Sequence, residues 1–509
     1  ETLAVGFDVG TLTSGATATF RYFIFLGNTL AEVQQLFALL EAGGGPSADH
    51  PHLVADPASA AIPAADLPYA LYYPEGFANN RASSFVPVVN PNDEPARVVI
   101  LARYETGTAT QVLFDQVVPA GTRTGITIST PALYAANQQL VRKDTPFALE
   151  VRSSLPVGAT LSHFDFGIST GQAFTSEAST TWTFGEGFKG VGVHDFLVFQ
   201  NTTEEEIKVT LTVYRENSGD IRVFTQNVEG LRRGGWNLGA MPIGDGPFAV
   251  RVDAEGPIVA ALTHFDTNIG GGFGVLGLPG AGSAVGLVPE GQLGLNAQTE
   301  FITILNPTTS PATVTFTFFF ANQGAFRHQV TIPALRRGGF SVGELPGFPQ
   351  GTQPYSVGYE SDQPVSATLA SYGADGGSGS RFTGTAASLW LFSDGFRPGA
   401  GALVREYLRL FNPSATDVTV EITMIFEPNA EAGDAGGAEV FRQTLPSRAA
   451  VNFDVHQFVS GERRLRDTFY SIRVKSPEPV VAFMGHIDLN LGSGFGTLGT
   501  ALGNLEPAV

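Results

Sequence analysis

The sequence contains no cysteine among its 509 residues, which excludes disulfide bonds and zinc sites built on thiolates. Lysine occurs four times and methionine three times, whereas glycine occurs 61 times, phenylalanine 39 times and proline 32 times. Scarce straight-chain helix formers beside abundant aromatics and turn formers favour strands joined by tight turns. The composition therefore predicts a mainly β protein without covalent cross-links.

Long apolar segments and positive charge are also scarce. No run of about 18 or more uninterrupted apolar residues is present, so we expect no membrane span. The formal net charge is −19 and the sequence pI is about 4.8. Because such a charge repels polyanions, nucleic acid is disfavoured as a partner. Charged residues make up only 15% of the chain, which leaves much of the surface to small polar and apolar groups.

The chain begins at Glu1, without methionine, in a stretch where the alternation of Leu3, Val5 and Phe7 indicates a strand. We interpret this start as the result of removing a leader or a larger N-terminal part. The expected location is therefore extracellular or at the cell surface.

An internal repeat is the strongest feature of the sequence. An acidic residue followed by glycine recurs at 75, 186, 290 and 394, so the intervals are 111, 104 and 104 residues. Three further landmarks follow it in the same order: an asparagine that ends an apolar strand, an arginine, and a strand that ends in histidine or serine. The residues are Asn90, Asn201, Asn306 and Asn412; Arg123, Arg233, Arg337 and Arg448; and His163, His264, Ser371 and His486.

The spacing predicts four tandem Ig-like β-sandwich modules of seven or eight short strands each, arranged as beads in a row. We place them at residues 70–179, 180–284, 285–388 and 389–509. Residues 1–69 differ, with two predicted strands, one helix whose capping box opens at Asn28, and a linker. They either pack on the first module or are the remnant of a preceding domain.

The order of acidic-Gly, apolar strand, Asn turn, alternating strand, arginine turn and strand ending in His resembles the small β-sandwich of the sensory rhodopsin transducer family. The likeness covers most of each copy and is clearest from Phe196 to Asp266. It implies a compact, oligomerising β-sandwich. We carry over the fold and not the signalling role, because a fold does not determine a function.

Two stretches match the G-x-G-x-x-G pattern, beginning at Gly272 and Gly494. A dinucleotide site needs this turn to open a helix. Neither stretch precedes a helical pattern, so we interpret both as glycine-rich hairpin tips and expect no cofactor. The Arg-Arg-Gly-Gly stretches at Arg233 and Arg337 are interpreted as structural turns with an arginine on a sheet surface, rather than as RNA-binding segments.

His163, His264 and His486 each precede a carboxylate by two residues, which places both side chains on one face of a strand. Ser371 and Gly373 replace the pair in the third copy, and no nucleophile motif accompanies it. A structural hydrogen-bonding pair is therefore favoured over metal binding or catalysis, and we assign no catalytic residue.

Oxygen-rich turns raise two further possibilities. Asp266 and Asn268, and likewise Asp488 and Asn490, offer calcium ligands, but the full ligand set of a known calcium loop is absent, so no metal is assigned. Asn201-Thr-Thr matches the N-glycosylation pattern, although it occupies the shared Asn turn. Whether these loops bind calcium, and whether Asn201 is glycosylated, stays open at this point.

The favoured function is a secreted structural protein that polymerises with other copies of itself into a fibre, sheath or surface layer, through sandwich edges open for strand pairing. The alternative is an adhesive or carbohydrate-binding module array that contacts a surface glycan. Exposed aromatics at equivalent loop tips would favour it, and Phe166, Phe273, Phe382 and Phe495 partly fit. An intracellular signalling adaptor is a third possibility, and an enzyme is the least favoured.

Overall fold

The structure is a computed structural model that describes residues 66–294, 298–321, 324–373, 376–384, 386–399, 403–489 and 492–502. The strands and helix predicted within residues 1–65 lie outside this part of the chain. The described residues are almost all in strands or turns, so the predicted all-β class is confirmed. Their single α-helix, α1, spans Pro131–Ala136 and is capped by the Thr130 side chain. None of the described helices has the length and apolarity to span a bilayer.

The first copy is a sandwich of two four-stranded antiparallel sheets, in the orders β1-β6-β3-β4 and β5-β2-β7-β8. Apolar side chains of both sheets, such as Ile100 and Leu161, share one buried core. The strands are β1 (Tyr69–Tyr73), β2 (Ser83–Asn90), β3 (Ala96–Tyr104), β4 (Thr110–Val118), β5 (Thr122–Ser129), β6 (Phe147–Ser153), β7 (Gly158–Asp165) and β8 (Ile168–Ala173).

The other three copies repeat this topology, but one long strand runs through both sheets and replaces β6 and β7. In the second copy the strands are β9 (Ser179–Phe184), β10 (Phe188–Lys189), β11 (Val193–Asn201), β12 (Ile207–Arg215), β13 (Ile221–Val228), β14 (Arg233–Asn237), β15 (Gly246–Asp266), β16 (Gly271–Leu276) and β17 (Leu278–Pro279). The long strand is β15.

The third copy contains β18 (Ser283–Val288), β19 (Thr299–Asn306), β20 (Ala312–Phe320), β21 (Phe326–Ile332), β22 (Arg336–Ser341), β23 (Tyr355–Gly373) and β24 (Gly376–Arg381). The fourth contains β25 (Ala387–Arg397), β26 (Val404–Asn412), β27 (Val418–Phe426), β28 (Gly437–Leu445), β29 (Ala449–Asp454), β30 (Thr468–Asp488), β31 (Ser493–Leu498) and β32 (Thr500–Ala501). Short 3-10 helices span Leu238–Ala240, Val342–Glu344, Val455–Phe458 and Gly461–Leu465.

The repeated asparagine holds the same turn in every copy. The Asn201 amide is fully buried and donates to the carbonyls of Glu205, Val228 and Glu229 at 2.8–3.2 Å. Its Oδ1 accepts from the backbone N–H of Thr203 at 2.9 Å. Asn90, Asn306 and Asn412 make the equivalent bonds. Because the Nδ2 atom that a glycan would modify is buried in these bonds, Asn201 is a structural residue, and its acceptor pattern is a by-product of the turn.

The strand that follows the landmark histidine or serine strand in each copy closes the four sandwiches into a cycle. β8 contacts β16, β16 contacts β24, β24 contacts β31, and β31 returns to β8. Across this last contact the Ser169 N–H donates to Ser493 Oγ at 2.7 Å, and the Ala173 N–H donates to Thr497 Oγ1 at 3.0 Å. The fourth copy therefore contacts the first, and the expected row of beads is wrong. The physical reason is that these strands are buried on both faces, and only neighbouring copies cover the outer face.

Glycine allows the close approach at this centre. A methyl group on Gly171 would lie 2.1 Å from the Phe495 ring of the fourth copy, and one on Gly379 would lie 2.2 Å from the Phe273 ring of the second. The G-x-G-x-x-G stretches lie within and just after β16 and β31. Their interpretation as hairpin tips is therefore wrong, since they pack one copy against another.

We predict that Gly171→Ala lowers the free energy of unfolding by about 1–3 kcal/mol, because the added methyl group overlaps the Phe495 ring. Chemical denaturation followed by circular dichroism measures this. The matched control is Gly324→Ala, where nothing lies within 4 Å, and its stability should stay within about 0.5 kcal/mol of wild type. Equal effects of the two substitutions would contradict the inter-copy contact.

Candidate functional site: the clefts between copies

Clefts open where consecutive copies meet, and we number them by junction: first between copies 1 and 2, second between copies 2 and 3, third between copies 3 and 4. Their volumes are about 360, 840 and 330 Å³ respectively. Copies 4 and 1 meet at the closing junction. Cavities of roughly 300–1,000 Å³ are the size that small-molecule ligands occupy.

An arginine–glutamate pair crosses three of the four junctions. Arg233 Nη1 contacts Glu105 at 2.5 Å across the first junction. Arg337 pairs with Glu216 across the second, and Arg123 pairs with Glu427 across the closing junction. These arginines are buried, with 7–9% of the residue exposed. The predicted position of Arg233 and Arg337 on a sheet surface is therefore wrong, because the neighbouring copy covers it.

The third junction lacks both members of this pair. Ala321 follows β20 where Glu216 follows β12, and Ala450 in β29 occupies the position of Arg337. Arg409, on the neighbouring strand β26, reaches across instead and donates to Gly291 O at 3.1 Å and to Gln292 Oε1 at 3.0 Å. Loss of one partner alone would leave a buried charge unpaired, which is destabilising. Absence of both partners avoids that penalty.

Arg448, predicted as the fourth landmark arginine, lies elsewhere. It occupies a turn with φ of 50°, the position held by Leu231 and Leu335 with φ of 56° and 55°. The sequence prediction matched Arg448 to the landmark arginines because it lies in a similar turn. The structurally equivalent residue is Ala450, two positions later. Arg448 therefore has no part in the cleft.

The acidic-Gly landmark also belongs to the junctions. Glu75 accepts from Thr263 of the second copy at 2.8 Å, and Glu290 accepts from Tyr407 of the fourth at 3.2 Å. Glu186 and Asp394 likewise accept from the copy that follows. The glycine beside each acid lies under an aromatic ring, and a methyl group there would be 2.2–2.4 Å from that ring: Gly76 under Phe147, Gly187 under Phe248, Gly291 under Tyr355 and Gly395 under Tyr470.

The histidines bind a neighbouring strand of their own sheet rather than the carboxylate two residues on. His264 Nδ1 lies 2.6 Å from Asp195 Oδ1, and His486 Nδ1 lies 2.7 Å from Glu406 Oε1. His163 Nδ1 lies 2.8 Å from the Ser84 hydroxyl. A structural hydrogen bond is present, as the sequence indicated, but the predicted partner is wrong because the strand pairing brings a closer group.

The partner decides the direction in which each histidine pKa moves. Burial lowers the pKa of His163, whose hydrogen-bond partner is an uncharged hydroxyl. For His264 burial also acts to lower the pKa, but the charge and hydrogen bond of Asp195 outweigh it and raise the pKa. The same position in the repeat thus holds a neutral imidazole in one copy and favours an imidazolium in another.

Glu406 lies beside two imidazoles: His486 Nδ1 is 2.7 Å from its Oε1, and His456 Nε2 is 3.8 Å from its Oε2. Burial acts to raise its pKa, yet the interactions with His456 and His486 outweigh burial and lower the Glu406 pKa to about 2. The pKa of His486 is raised in turn, because Glu406 overcomes the effect of burial. At the third junction the charge of Glu406 is therefore balanced by histidines, whereas the charge of the nearby Glu290 is only partly balanced by Arg409.

The residues considered as calcium ligands form a local turn. Asp266 Oδ1 accepts from both the N–H and the Nδ2 of Asn268 at 2.9 Å, which forms an Asx turn. Asp488 ends β30, and Asn490 lies outside the described residues. Among the residues the structure describes, no group of three His, Asp or Glu side chains is arranged to hold a metal ion.

The aromatics proposed as exposed loop-tip residues are mostly buried. Phe273, Phe382 and Phe495 are exposed by 0%, 1% and 6%. Phe166 alone is partly exposed, and it stacks on His194 with ring centroids 4.7 Å apart. The exposed apolar residues at a cleft are different ones, Phe188, Ile269 and Phe301, at 40%, 51% and 38%.

Sequence reasoning missed the residues that line the clefts from the following copy. The residue six positions before the landmark asparagine contacts the histidine, as Asp195 does in the second copy. The residue five positions before the asparagine faces the cleft, as Phe196 does. The available signal was their repetition: the fifth position is aromatic in every copy, as Phe85, Phe196, Phe301 and Tyr407.

Comparisons with known proteins give no family for this chain and only weak structural likenesses. No protein-family model and no characterised protein matches the sequence. Among solved structures, Thermotoga maritima 1070 is 22% identical over 21% of this chain and 99% of its own, at a TM-score of 0.20. Chicken CNTN1 domains FN1–FN3 are 12% identical over 61% of this chain and 93% of their own, at 0.10.

A tetra-tandem repeat from the extending region of a large adhesion protein is 10% identical over 84% of this chain and 97% of its own, at a TM-score of 0.11. The last two are weak likenesses to tandem domains, and at such TM-scores none of the three carries an argument about function. The resemblance to the sensory rhodopsin transducer family therefore rests on the sequence motifs alone, and the β-sandwich fold rests on the strands described above.

Glu290 makes stability at the third junction depend on pH. Burial raises its pKa from 4.5 to about 7, Arg409 only partly opposes this, and its Oε2 has no hydrogen-bond partner among the described residues. The folded state therefore holds this proton more tightly than the unfolded state. The Glu290 contribution to the free energy of unfolding is complete below about pH 4.5 and falls as pH rises towards 7.

We predict that Glu290→Gln, which keeps the shape and removes the charge, becomes more stable relative to wild type by roughly 3 kcal/mol between pH 4.5 and pH 7.5. Urea denaturation across this range measures the difference. Glu360→Gln, at an exposed position of β23, controls for loss of one charge. A wild-type-to-variant difference that stays constant with pH would rule out the Glu290 assignment.

Proposed function

We propose that this protein is a non-enzymatic binding protein whose four sandwiches close into a cycle and hold small ligands in the clefts between copies. The observation that carries the proposal is the second cleft. It has a volume of about 840 Å³ and is lined by residues of two copies, including the exposed rings of Phe188 and Phe301. Large apolar side chains left partly exposed in a concave site are characteristic of ligand pockets.

A buried donor supports the same cleft. Arg337 lines it and is 9% exposed, and its Nη atoms pair with Glu186 and Glu216. Its Nε has no hydrogen-bond partner among the described residues, whereas the equivalent Nε of Arg123 and Arg233 donates to a backbone carbonyl. An unpaired buried donor costs free energy, so the second junction retains a polar group that its own side chains leave unsatisfied.

The proposal retains part of the earlier expectation and changes the rest. It keeps the alternative of a binding protein, including a carbohydrate as a candidate ligand, and an extracellular location. It replaces the row of separate modules by a closed cycle, so the sites are shared by two copies rather than contained in one.

We predict that Ser341→Trp, which fills the second cleft, abolishes ligand binding. Saturation-transfer NMR would test glucose, galactose, N-acetylglucosamine, glycerol, benzylamine and benzoate against wild type and variant. Thr331→Trp, on the exposed outer strand β21, is the matched control and should bind as wild type does. The proposal fails when no compound distinguishes Ser341→Trp from wild type.

Self-assembly is a second candidate, favoured by the outer edge strands. β4, β13, β21 and β28 each pair on one side only. Val112, Val223 and Val440 occupy equivalent positions on three of them and are exposed by 56%, 59% and 51%. An exposed apolar edge is a template for strand pairing with another copy.

On this second candidate we predict concentration-dependent polymers that disappear in the triple variant Val112→Lys, Val223→Lys and Val440→Lys, because edge lysines oppose pairing. Sedimentation velocity measures the species present. The triple variant Thr110→Lys, Thr225→Lys and Thr444→Lys controls for added charge on the same edge strands and should polymerise less than wild type but more than the valine variant. A wild-type protein that stays monomeric at all concentrations would eliminate self-assembly.

A further inference from the structure

We propose that the second cleft binds a small organic cation, an ammonium or guanidinium group carried on an apolar body. This inference rests on the proposed function and names the ligand class of that site. It follows from the charges lining the cleft, from its aromatic walls, and from a comparison with the two other clefts.

The second cleft has an excess of negative charge. Four carboxylates line it, and two of them, Glu186 and Glu216, neutralise Arg337. Asp266 and Glu344 remain without a cationic partner among the described residues. His264 also lines the cleft, but its charge is balanced by Asp195 at 2.6 Å. An anionic ligand is therefore repelled, and a cation is attracted.

In the first cleft an arginine of the protein itself, Arg81, lies beside the carboxylate that is equivalent to Asp266. Arg81 Nε lies 2.7 Å from Asp165 Oδ1, and its guanidinium carbon lies 4.3 Å from the centre of the Phe166 ring. Asp165 corresponds to Asp266, since each follows the landmark histidine by two residues. The protein itself thus shows how this position accommodates a guanidinium group between a carboxylate and an aromatic ring.

The second copy lacks that arginine. Ser84 is the hydrogen-bond partner of the histidine in the first copy, and Arg81 lies three residues before it. In the second copy the partner is Asp195, and the residue three positions before it is Gly192. Gly192 has φ of 78°, a conformation that side chains rarely adopt. The carboxylate is retained, and Asp266 Oδ1 accepts from the uncharged Asn268 instead of from an arginine, so its charge is left for a ligand cation to compensate.

The third cleft is also compensated by its own side chains. Arg405 and Arg409 line it, and the position of Asp266 is taken by Gly373. Of the three clefts described, the second alone therefore combines surplus carboxylates with exposed apolar walls, from Phe188, Ile269 and Phe301. Carboxylates beside aromatic faces are the arrangement that binds ammonium and guanidinium groups.

The test uses benzylamine as the cationic probe, with benzyl alcohol and benzoate as its neutral and anionic counterparts, measured by isothermal titration calorimetry on the full chain. We expect benzylamine to bind at least tenfold more tightly than benzyl alcohol, and benzoate to bind more weakly still. Raising the salt concentration should weaken benzylamine binding, because it screens the carboxylates.

The variant Asp266→Asn with Glu344→Gln should weaken benzylamine binding about tenfold and leave benzyl alcohol binding unchanged. Glu344→Gln alone should give part of the loss, and it avoids any disturbance of the Asx turn. Asp220→Asn with Glu360→Gln removes two exposed carboxylates elsewhere and should bind as wild type does.

Two outcomes would overturn the cation assignment: equal affinity for benzylamine and benzyl alcohol, or undiminished benzylamine affinity in the Asp266 and Glu344 double variant. Either would leave cleft binding itself intact if Ser341→Trp still abolished binding of benzyl alcohol or a sugar. Failure of the proposed function is distinct, since Ser341→Trp would then change the binding of no compound.

Discussion

Burial of four glycine-rich strands, one from each copy, against one another is the constraint on which the rest of the structure depends. β8, β16, β24 and β31 each have one face in their own sandwich and a second face that water would otherwise contact. A linear array would leave the outer faces of β8 and β31 uncovered. Closing the cycle buries them, and glycine at Gly171 and Gly379 lets the Phe495 and Phe273 rings approach.

Contact between copies also encloses charges at the junctions. The arginine–glutamate pairs are enclosed only because two copies meet, and removal of one partner would leave the other charge without compensation. The third junction illustrates this constraint. Both members are alanine there, at Ala321 and Ala450, and Arg409 supplies the contact from an adjacent strand.

Covalent linkage of the four copies has a functional consequence. Identical copies would form identical clefts, whereas tandem copies in one chain diverge independently while sharing one backbone geometry. Arg81 fills the position beside Asp165 in the first cleft, and Arg405 and Arg409 line the third. The second cleft keeps Asp266 without such a cation. A common fold thereby supports clefts of different chemistry.

Composition and repetition alone determined the all-β class, the four copies and the turn role of the landmark asparagines such as Asn201, because strand alternation and turn chemistry are local properties of the chain. The tertiary structure decided the closed cycle, the partners of His264 and His486, and the clefts. Those features join residues from different copies, as Arg123 and Glu427 do at separation 304. Spacing within one repeat carries no information on which copy lies against which, so a row and a cycle have the same sequence pattern.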